Sequence, residues 1–176
     1  MNRARAAWLE PLMGKRFGVK GPCAAEVLAE SGFAVPATAN TWAMLEGGDA
    51  ADVIARLGNT EFFVESRGEN SSLSGLEARL AGGVPGAYPV LREDFAIALG
   101  GNAAPDVLAQ VCNIDFAALD LAARPIVMTS MIGVGVLVLP QVSDGIIYRI
   151  WCDPSYGPYL ESELGAVVEG STRNTG

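Results

Sequence analysis

Two stretches of the sequence decide the fold: FGVKGPCAAEVLAE at residues 17–30 and IALGGNAAPDVLAQ at residues 97–110. They align without gaps at a constant offset of 80 residues. Five paired positions are identical: Gly21/Gly101, Ala24/Ala104, Val27/Val107, Leu28/Leu108 and Ala29/Ala109. Sequence rich in alanine and glycine can align with itself by chance, so these identities alone leave coincidence open. The segments that follow the two copies also match, which favours an internal repeat.

Each copy begins with a short apolar strand that leads through a glycine into a helix. We predict these strands over Arg16–Val19 and Asp94–Leu99. Apolar residues at helical spacing predict the buried faces of the two helices: Ala25, Leu28 and Ala29 in the first, and Pro105, Leu108 and Ala109 in the second. Gly32 is expected to end the first helix and Asn113 the second.

Three strands and a closing helix follow in each copy. The predicted strands are Thr41–Leu45, Asp52–Leu57 and Glu61–Glu65 in the first copy, and Ile126–Met131, Val134–Leu139 and Ile146–Trp151 in the second. The predicted turns are Gly47-Gly48, Gly58-Asn59 and a hairpin turn at Val142–Gly145. The closing helices are expected to begin at Ser71 or Ser72 and at Ser155, because serine is a favoured N-cap. The first of these helices carries Leu73, Leu76 and Leu80; the second carries Tyr159, Leu160, Leu164, Val167 and Val168.

The two copies together predict the fold class. Each half has the order β-α-β-β-β-α, which is typical of an α+β architecture with helices packed on mainly antiparallel sheets. We place the half-repeats at about residues 14–81 and 90–170, joined by a loop rich in glycine and proline. We expect them to form a single domain over residues 1–176, a length typical of one domain.

Composition excludes several classes of function. The chain has a formal net charge of −8, so a nucleic-acid backbone is a poor partner. It contains no histidine, which excludes a Ser-His-Asp or Cys-His site and removes the commonest metal ligand. The three cysteines form no Cys-x-x-Cys pair, so we expect reduced thiols and no zinc site.

The sequence gives no reason to expect a membrane or secretory protein. The apolar stretch at residues 126–139 is too short for a membrane-spanning helix, and its glycines and β-branched residues favour buried strands. Glu10 and Pro11 interrupt the N-terminal segment, which therefore does not resemble a secretory signal. We expect a cytoplasmic protein.

The sequence contains only weak evidence for catalytic or cofactor-binding residues. Cys152 has no basic neighbour to activate it, and the acidic pairs Glu93-Asp94 and Glu161/Glu163 are typical of solvated surfaces. The glycine-rich stretch at residues 14–21 lacks the ending of a phosphate-binding loop. We therefore predict no catalytic, cofactor-binding or metal-binding residue in this chain.

An aromatic turn is the remaining candidate site. The stretch WCDPSYGPY at residues 151–159 contains two prolines and lies where a strand is expected to lead into the last helix. Rigid aromatic residues are favoured anchors of protein interfaces, so we predict an interface at Trp151, Tyr156 and Tyr159. The alternative is that these rings fill the core.

The segment at residues 92–170 resembles the γ subunit of heterotetrameric sarcosine oxidase. The resemblance rests on REDFAIALGGNAAPDVLAQVCNIDF, VMTSMIGVGVLVLP and IYRIWCDPSYGPYLESEL. That family is itself similar to part of the folate-binding fold of the glycine cleavage T protein, and the first half of the chain resembles this pattern more weakly. The sequence departs from the family pattern at Pro154, where an arginine is expected.

The resemblance implies a non-catalytic structural subunit of a complex that oxidises sarcosine or a related N-methyl amine and passes the methyl carbon to tetrahydrofolate. It implies large α and β flavoprotein subunits and a small zinc-binding δ subunit as partners. Those partners would carry FAD, FMN, NAD, tetrahydrofolate and zinc, with no cofactor in this chain. The alternative is a stand-alone folate-binding protein or aminomethyltransferase of the T-protein kind.

Overall fold

The computed structural model describes residues 6–45 and 52–173. The strands in these residues are β1 (Trp8–Pro11), β2 (Lys15–Lys20), β3 (Thr41–Met44), β4 (Val53–Arg56), β5 (Glu61–Ser66), β6 (Tyr88–Leu91), β7 (Phe95–Gly100), β8 (Val127–Met131), β9 (Val134–Val142) and β10 (Ile146–Cys152). The helices are α1 (Ala24–Glu30), α2 (Ser71–Ala81), α3 (Ala104–Val111) and α4 (Gly157–Arg173). Short 3-10 turns lie at Phe116–Ala118, Leu121–Ala123 and Pro154–Tyr156.

The strands form two five-stranded sheets with the same topology. One sheet has the order β3-β4-β5-β2-β6 and the other has the order β8-β9-β10-β7-β1. All of the strand pairs are antiparallel. The α+β class, with two related β-α-β-β-β-α halves on antiparallel sheets, is therefore confirmed.

The chain divides into two compact units, one for each sheet. The first unit is Met13–Glu93, and the second combines the segment that ends at Leu12 with the segment that begins at Asp94. The boundary after Glu93 lies beyond the glycine-rich loop, because β6 pairs with β2 and so belongs to the first unit. The single domain expected from the sequence stays a prediction.

The repeat reaches further than the two stretches that define it. In β6, Leu91 lies opposite Phe17 of β2; in β1, Pro11 lies opposite Ile97 of β7. Both pairs of equivalent residues, Pro11/Leu91 and Phe17/Ile97, are separated by the same 80 positions. Each sheet therefore ends in an equivalent edge strand that comes from the segment preceding the other half.

The buried faces of α1 and α3 are shifted by one residue from the predicted faces. The buried residues are Ala24, Val27 and Leu28 in α1, and Ala104, Val107 and Leu108 in α3. The predicted faces were correct only at the two leucines. Each helix carries small apolar residues on more than one face. The spacing of apolar residues therefore does not show which of two adjacent faces is buried. The observed face buries the larger valine, which removes more apolar surface from water.

Both predicted serine caps are wrong. Helix α2 is capped by Asn70, whose side-chain oxygen accepts a hydrogen bond from the Leu73 amide at 3.0 Å. At the other site Asp153, and not Ser155, caps the 3-10 turn that precedes α4. In each case a residue one or two positions before the predicted serine has a longer side chain that reaches the free amide, and Asn and Asp are caps as good as serine.

Most other predicted boundaries are confirmed within two residues. Gly32 follows α1 with φ +86°, whereas α3 ends in extended backbone at Cys112, one residue before Asn113. Strand β9 runs three residues past its predicted end, through Pro140. Strand β8 pairs with β9 only as far as Val138, so no described strand lies beside Pro140 on that side and its missing N–H breaks no ladder there. The predicted turn at Gly47-Gly48 lies outside the described residues.

Helices cover one face of each sheet and build the cores. In the first unit, Val19, Ile54, Phe62 and Val64 pack with Leu28, Leu73 and Leu76. In the second unit, Ile97, Leu99, Tyr148 and Ile150 pack with Leu108, Leu160 and Leu164. On β5 and β10 the side chains that point away from these helices are also buried. They include Phe63 and Glu65 on β5, and Arg149 and Trp151 on β10. Both faces of these central strands are therefore removed from water.

Candidate interaction surface

The structure separates the three aromatic residues that the sequence singled out. Trp151 lies on β10 with 1% of its surface exposed, and the Arg149 guanidinium lies 5.3 Å from the centre of its ring. Tyr156 and Tyr159 are 53% and 47% exposed. Trp151 is therefore a core residue of this chain, and only the two tyrosines present rings to solvent.

A tight turn positions the two tyrosines. The Asp153 carboxylate accepts hydrogen bonds from the Ser155 amide at 2.9 Å and from the Ser155 hydroxyl at 2.5 Å. These bonds hold the pKa of Asp153 below its ordinary value, so the carboxylate is ionised at neutral pH. The 3-10 turn runs directly into α4. Tyr156 and Tyr159 are three residues apart in this continuous helical segment and share one side of it.

The hairpin turn between β8 and β9 holds one of these rings in place. The Tyr159 hydroxyl donates to the Ile132 carbonyl at 3.4 Å, and the Ile132 amide donates to the Val111 carbonyl at 3.0 Å. Ile132 and Gly133 have φ of +50° and +80°, as in a two-residue type I′ turn. Such a φ is costly for a β-branched residue, so these two contacts and the partial burial of Ile132 fix an otherwise strained backbone.

One acidic residue of α4 shares the side of the helix that carries the tyrosines. Glu163 follows Tyr159 by four residues, whereas Glu161 follows it by two and lies on the other side of the helix. Glu161 and Glu163 on α4 are both exposed, as is Asp153. Glu93 is exposed and Asp94 is half-buried before β7, so neither acidic pair is enclosed in the way a general acid–base pair requires. The carboxylates on α4 therefore contribute to the surface and its charge.

The cysteines do not supply a nucleophile. Cys152 is 3% exposed, and its pKa is raised by burial and, to a smaller extent, by the neighbouring charges of Asp153 and Asp94. Such a thiol is protonated at neutral pH and is a poor nucleophile. Cys112 is buried and Cys23 is half-buried, and neither forms a disulfide. Among residues 6–45 and 52–173, no cluster of three or more metal-binding side chains occurs.

Each unit has an open cleft lined by described residues. A cleft of about 430 Å³ beside the end of α3 includes Asp106, Cys112 and Phe116. A cleft of about 730 Å³ at the start of α2 includes Lys15 and Asn70. Lys15 is paired with Glu77, and the Cys112 sulfur lies 3.7 Å from the Thr129 hydroxyl. Neither contact joins a nucleophile to a base.

A buried ion pair in the first unit was missed from the sequence. The Arg16 Nε atom donates to the Glu65 carboxylate at 2.5 Å, and the Glu65 side chain has no exposed surface. The two residues are 49 positions apart, and their pairing depends on the β2–β5 register, which places Arg16 opposite Glu65. The sequence signal was an acidic residue directly after the apolar run Phe62–Val64. The pair is fully engaged in structure, which leaves Glu65 poorly placed to bind a ligand.

Comparison with solved structures finds the same fold in several chains, among them chains of two enzymes. The first is heterotetrameric sarcosine oxidase from Corynebacterium sp. U-96 in complex with pyrrole 2-carboxylate, with a TM-score of 0.78, 20% identity, 95% of this chain covered and 86% of that chain. The second is glycine cleavage system aminomethyltransferase T from Bartonella henselae, with a TM-score of 0.67 and 20% identity over 92% of this chain.

The comparison confirms the fold resemblance seen in the sequence. This chain spans 46% of the aminomethyltransferase chain and most of the sarcosine oxidase chain. No protein-family model and no curated protein sequence matches it. In the described part of the chain, no helix is long and apolar enough to cross a membrane.

Proposed function

We propose that this chain is a non-catalytic structural subunit of a heterotetrameric flavoenzyme complex that oxidises sarcosine or a related N-methyl amine. The methyl carbon would pass to tetrahydrofolate on a partner. The observation that carries the proposal is the fold likeness to a chain of heterotetrameric sarcosine oxidase, which extends over 95% of this chain and 86% of that one. A likeness over nearly all of both chains is what a dedicated subunit of similar size would show.

The chemistry of the described residues supports a structural role. The buried, protonated Cys152 is a poor nucleophile, and the acidic pairs are not enclosed. In this proposal, large α and β flavoprotein subunits carry FAD, FMN, NAD and tetrahydrofolate, and a small δ subunit carries zinc. Tyr156 and Tyr159 provide the docking surface, and Trp151 supports it from the core.

Co-expression tests the proposal. The chain is produced alone and together with the proteins encoded by adjacent genes, and each sample is examined by size exclusion with light scattering and flavin absorbance. We expect this chain to co-elute with a large flavoprotein in fixed stoichiometry, and the complex to oxidise N-methyl amines. A chain that stays monomeric beside folded, flavin-loaded partner proteins contradicts the proposal.

The alternative is a stand-alone folate-binding protein or aminomethyltransferase. It is favoured by the likeness to aminomethyltransferase T, although this chain spans less than half of that protein. A pteridine ring needs a polar anchor in a mostly apolar pocket. Among the described carboxylates Glu65 is the most buried, and because Arg16 holds it, it is an unsuitable anchor. Calorimetry with tetrahydrofolate distinguishes the two functions, because only the alternative predicts binding by the isolated chain.

A further inference from the structure

We infer that the face formed by the Pro154–Tyr156 turn and the first turns of α4 docks onto an arginine-bearing surface of a partner protein. We call this face the α4 face and define it by Asp153, Tyr156, Tyr159 and Glu163. The inference rests on the proposed function, since it names the chemistry of the partner surface at the same site. It is carried by the exposure, the rigidity and the charge of the α4 face.

The internal repeat provides a comparison within the molecule. Helix α2 occupies the equivalent position in the first unit, where acidic side chains are neutralised inside the chain: Glu77 of α2 pairs with Lys15, and Arg79 of α2 pairs with Glu30 at 2.5 Å. Glu161 and Glu163 of α4 make no such ion pair among the described residues. The acidic residue of α2 is thus neutralised within its own unit, whereas Glu161 and Glu163 of α4 are not, in the part of the chain that the structure describes.

Among the side chains that the structure describes, the charge of the second unit is strongly one-sided; Arg3, Arg5 and Arg173 lie outside them. Its exposed acidic residues are Glu10, Asp106, Asp115, Asp120, Asp144, Asp153, Glu161, Glu163 and Glu169. Of the basic side chains described in this unit, Arg124 is exposed and Arg149 is 2% exposed. A surface with this balance attracts cations and repels nucleic acids and anionic membranes. The complementary occupant is therefore a basic protein surface.

The exposed rings favour arginine over lysine on that surface. A planar guanidinium can stack on a tyrosine ring and bind a carboxylate through two N–H groups, whereas an ammonium is a strongly hydrated point charge. The α4 face offers both kinds of contact within two helical turns. Tyr159 is also anchored through its hydroxyl to Ile132, so little conformational entropy is lost when its ring is covered.

One pair of substitutions and one single substitution separate the aromatic from the electrostatic contribution. Tyr156→Ala with Tyr159→Ala removes the rings, and Glu163→Lys reverses the charge beside them. The matched control is Glu69→Lys, which makes the same change in charge at an exposed residue of the first unit. Circular dichroism and thermal melting of each variant establish that it is folded. The probe is the co-expressed flavoprotein encoded by adjacent genes, and binding is measured by surface plasmon resonance at about 50 mM and about 500 mM salt.

We expect the charge-reversed variant to associate about tenfold more slowly than the parent chain at low salt, with the difference shrinking at high salt. The variant without the tyrosines should bind at least about tenfold more weakly at both salt concentrations. The control should behave like the parent chain. Assembly that survives both sets of α4 substitutions overturns this inference and leaves the proposed function intact. An equal effect of the control also overturns it, because net charge alone would then explain the result.

Two other outcomes also overturn the inference. A parent chain that binds no flavoprotein removes the proposed function and this inference together. A parent chain that forms a homodimer broken by the α4 substitutions shows that a second copy occupies the face.

Discussion

Gly101 packs against the carbonyl oxygen of Ala6 so closely that a Cβ atom added to it would lie 1.8 Å from that oxygen. The same relationship occurs 80 residues earlier, where a Cβ on Gly21 would lie 2.3 Å from the carbonyl oxygen of Gly86. Both glycines have positive φ, +95° and +129°. The identity of the two glycines in the repeat therefore has a physical reason: the backbone before each edge strand passes where a side chain would be.

We predict that Gly101→Ala destabilises the protein far more than Gly133→Ala does. Both glycines have positive φ, but a Cβ on Gly133 would meet no atom within 4 Å. Gly133→Ala should therefore cost only the conformational strain, about 1 kcal/mol. Gly101→Ala adds a clash with backbone and should cost about 3 kcal/mol. Urea unfolding of the two variants measures both costs, and equal losses would show that the close approach to Ala6 has no energetic weight.

The buried Arg16–Glu65 pair should be far more sensitive to substitution than an exposed pair. Glu65→Gln removes the carboxylate that Arg16 binds in a largely buried site, and we expect a loss of about 3–5 kcal/mol in the free energy of unfolding. Glu77→Gln breaks the exposed pair with Lys15 and should cost less than about 1 kcal/mol.

A double variant separates pairing from burial. Arg16→Met combined with Glu65→Met removes both charges and should recover most of the stability lost by Glu65→Gln. Chemical denaturation of the three variants provides the comparison. If the double variant is as unstable as the single one, the pair does more than neutralise two buried charges.

The repeat made the topology of each half predictable, because strand, glycine and helix follow one another locally in sequence. The edge strands β1 and β6 were not predicted. Strand β1 pairs with β7, which is almost ninety residues away in sequence. The two edge strands are related in sequence only by the 80-residue offset of the repeat, which pairs Trp8 with Tyr88. The signal was present: extending the same 80-residue offset outward from Gly21 and Gly101 reaches both strands. The pattern of residues within one strand does not show which distant strand it pairs with.

Burial at the candidate site was equally hard to read from the sequence. On β10, Ile150 and Trp151 face opposite sides of the sheet, yet both are buried. A strand buried on both faces loses the alternation that would tell a core tryptophan from a surface one. Tyr156 and Tyr159 could be predicted as exposed more readily, because Leu160 and Leu164 already define the buried side of α4.

The N-terminus of α2 offers a local test of capping. Asn70→Ala should lower the free energy of unfolding by about 1 kcal/mol, because the Leu73 amide loses its side-chain acceptor. Ser71→Ala and Ser72→Ala should change it by less than about half as much, since both serines lie inside the helix. Thermal unfolding of the three single variants ranks the residues. A larger effect at either serine would identify it as the cap in place of Asn70.

Alkaline pH should destabilise the protein through two buried groups of the second unit. Burial raises the pKa of Tyr148 and, together with Asp153 and Asp94, raises the pKa of Cys152. In the interval between its unfolded and folded pKa, each group binds its proton more tightly in the folded state. The free energy of unfolding is therefore at its full value below the unfolded pKa and falls as pH rises through the folded pKa.

Urea unfolding from about pH 7 to about pH 11 measures this decline. Cys152→Ala should remove the part that begins at lower pH, and Tyr148→Phe the part that begins at higher pH, since an unperturbed thiol ionises before a phenol. Tyr156→Phe is the matched control, because Tyr156 is 53% exposed and should leave the pH profile unchanged. A decline of the same size in the Cys152→Ala and Tyr148→Phe double variant would assign it to other groups. A flat profile in the parent protein would show that neither buried group is linked to folding.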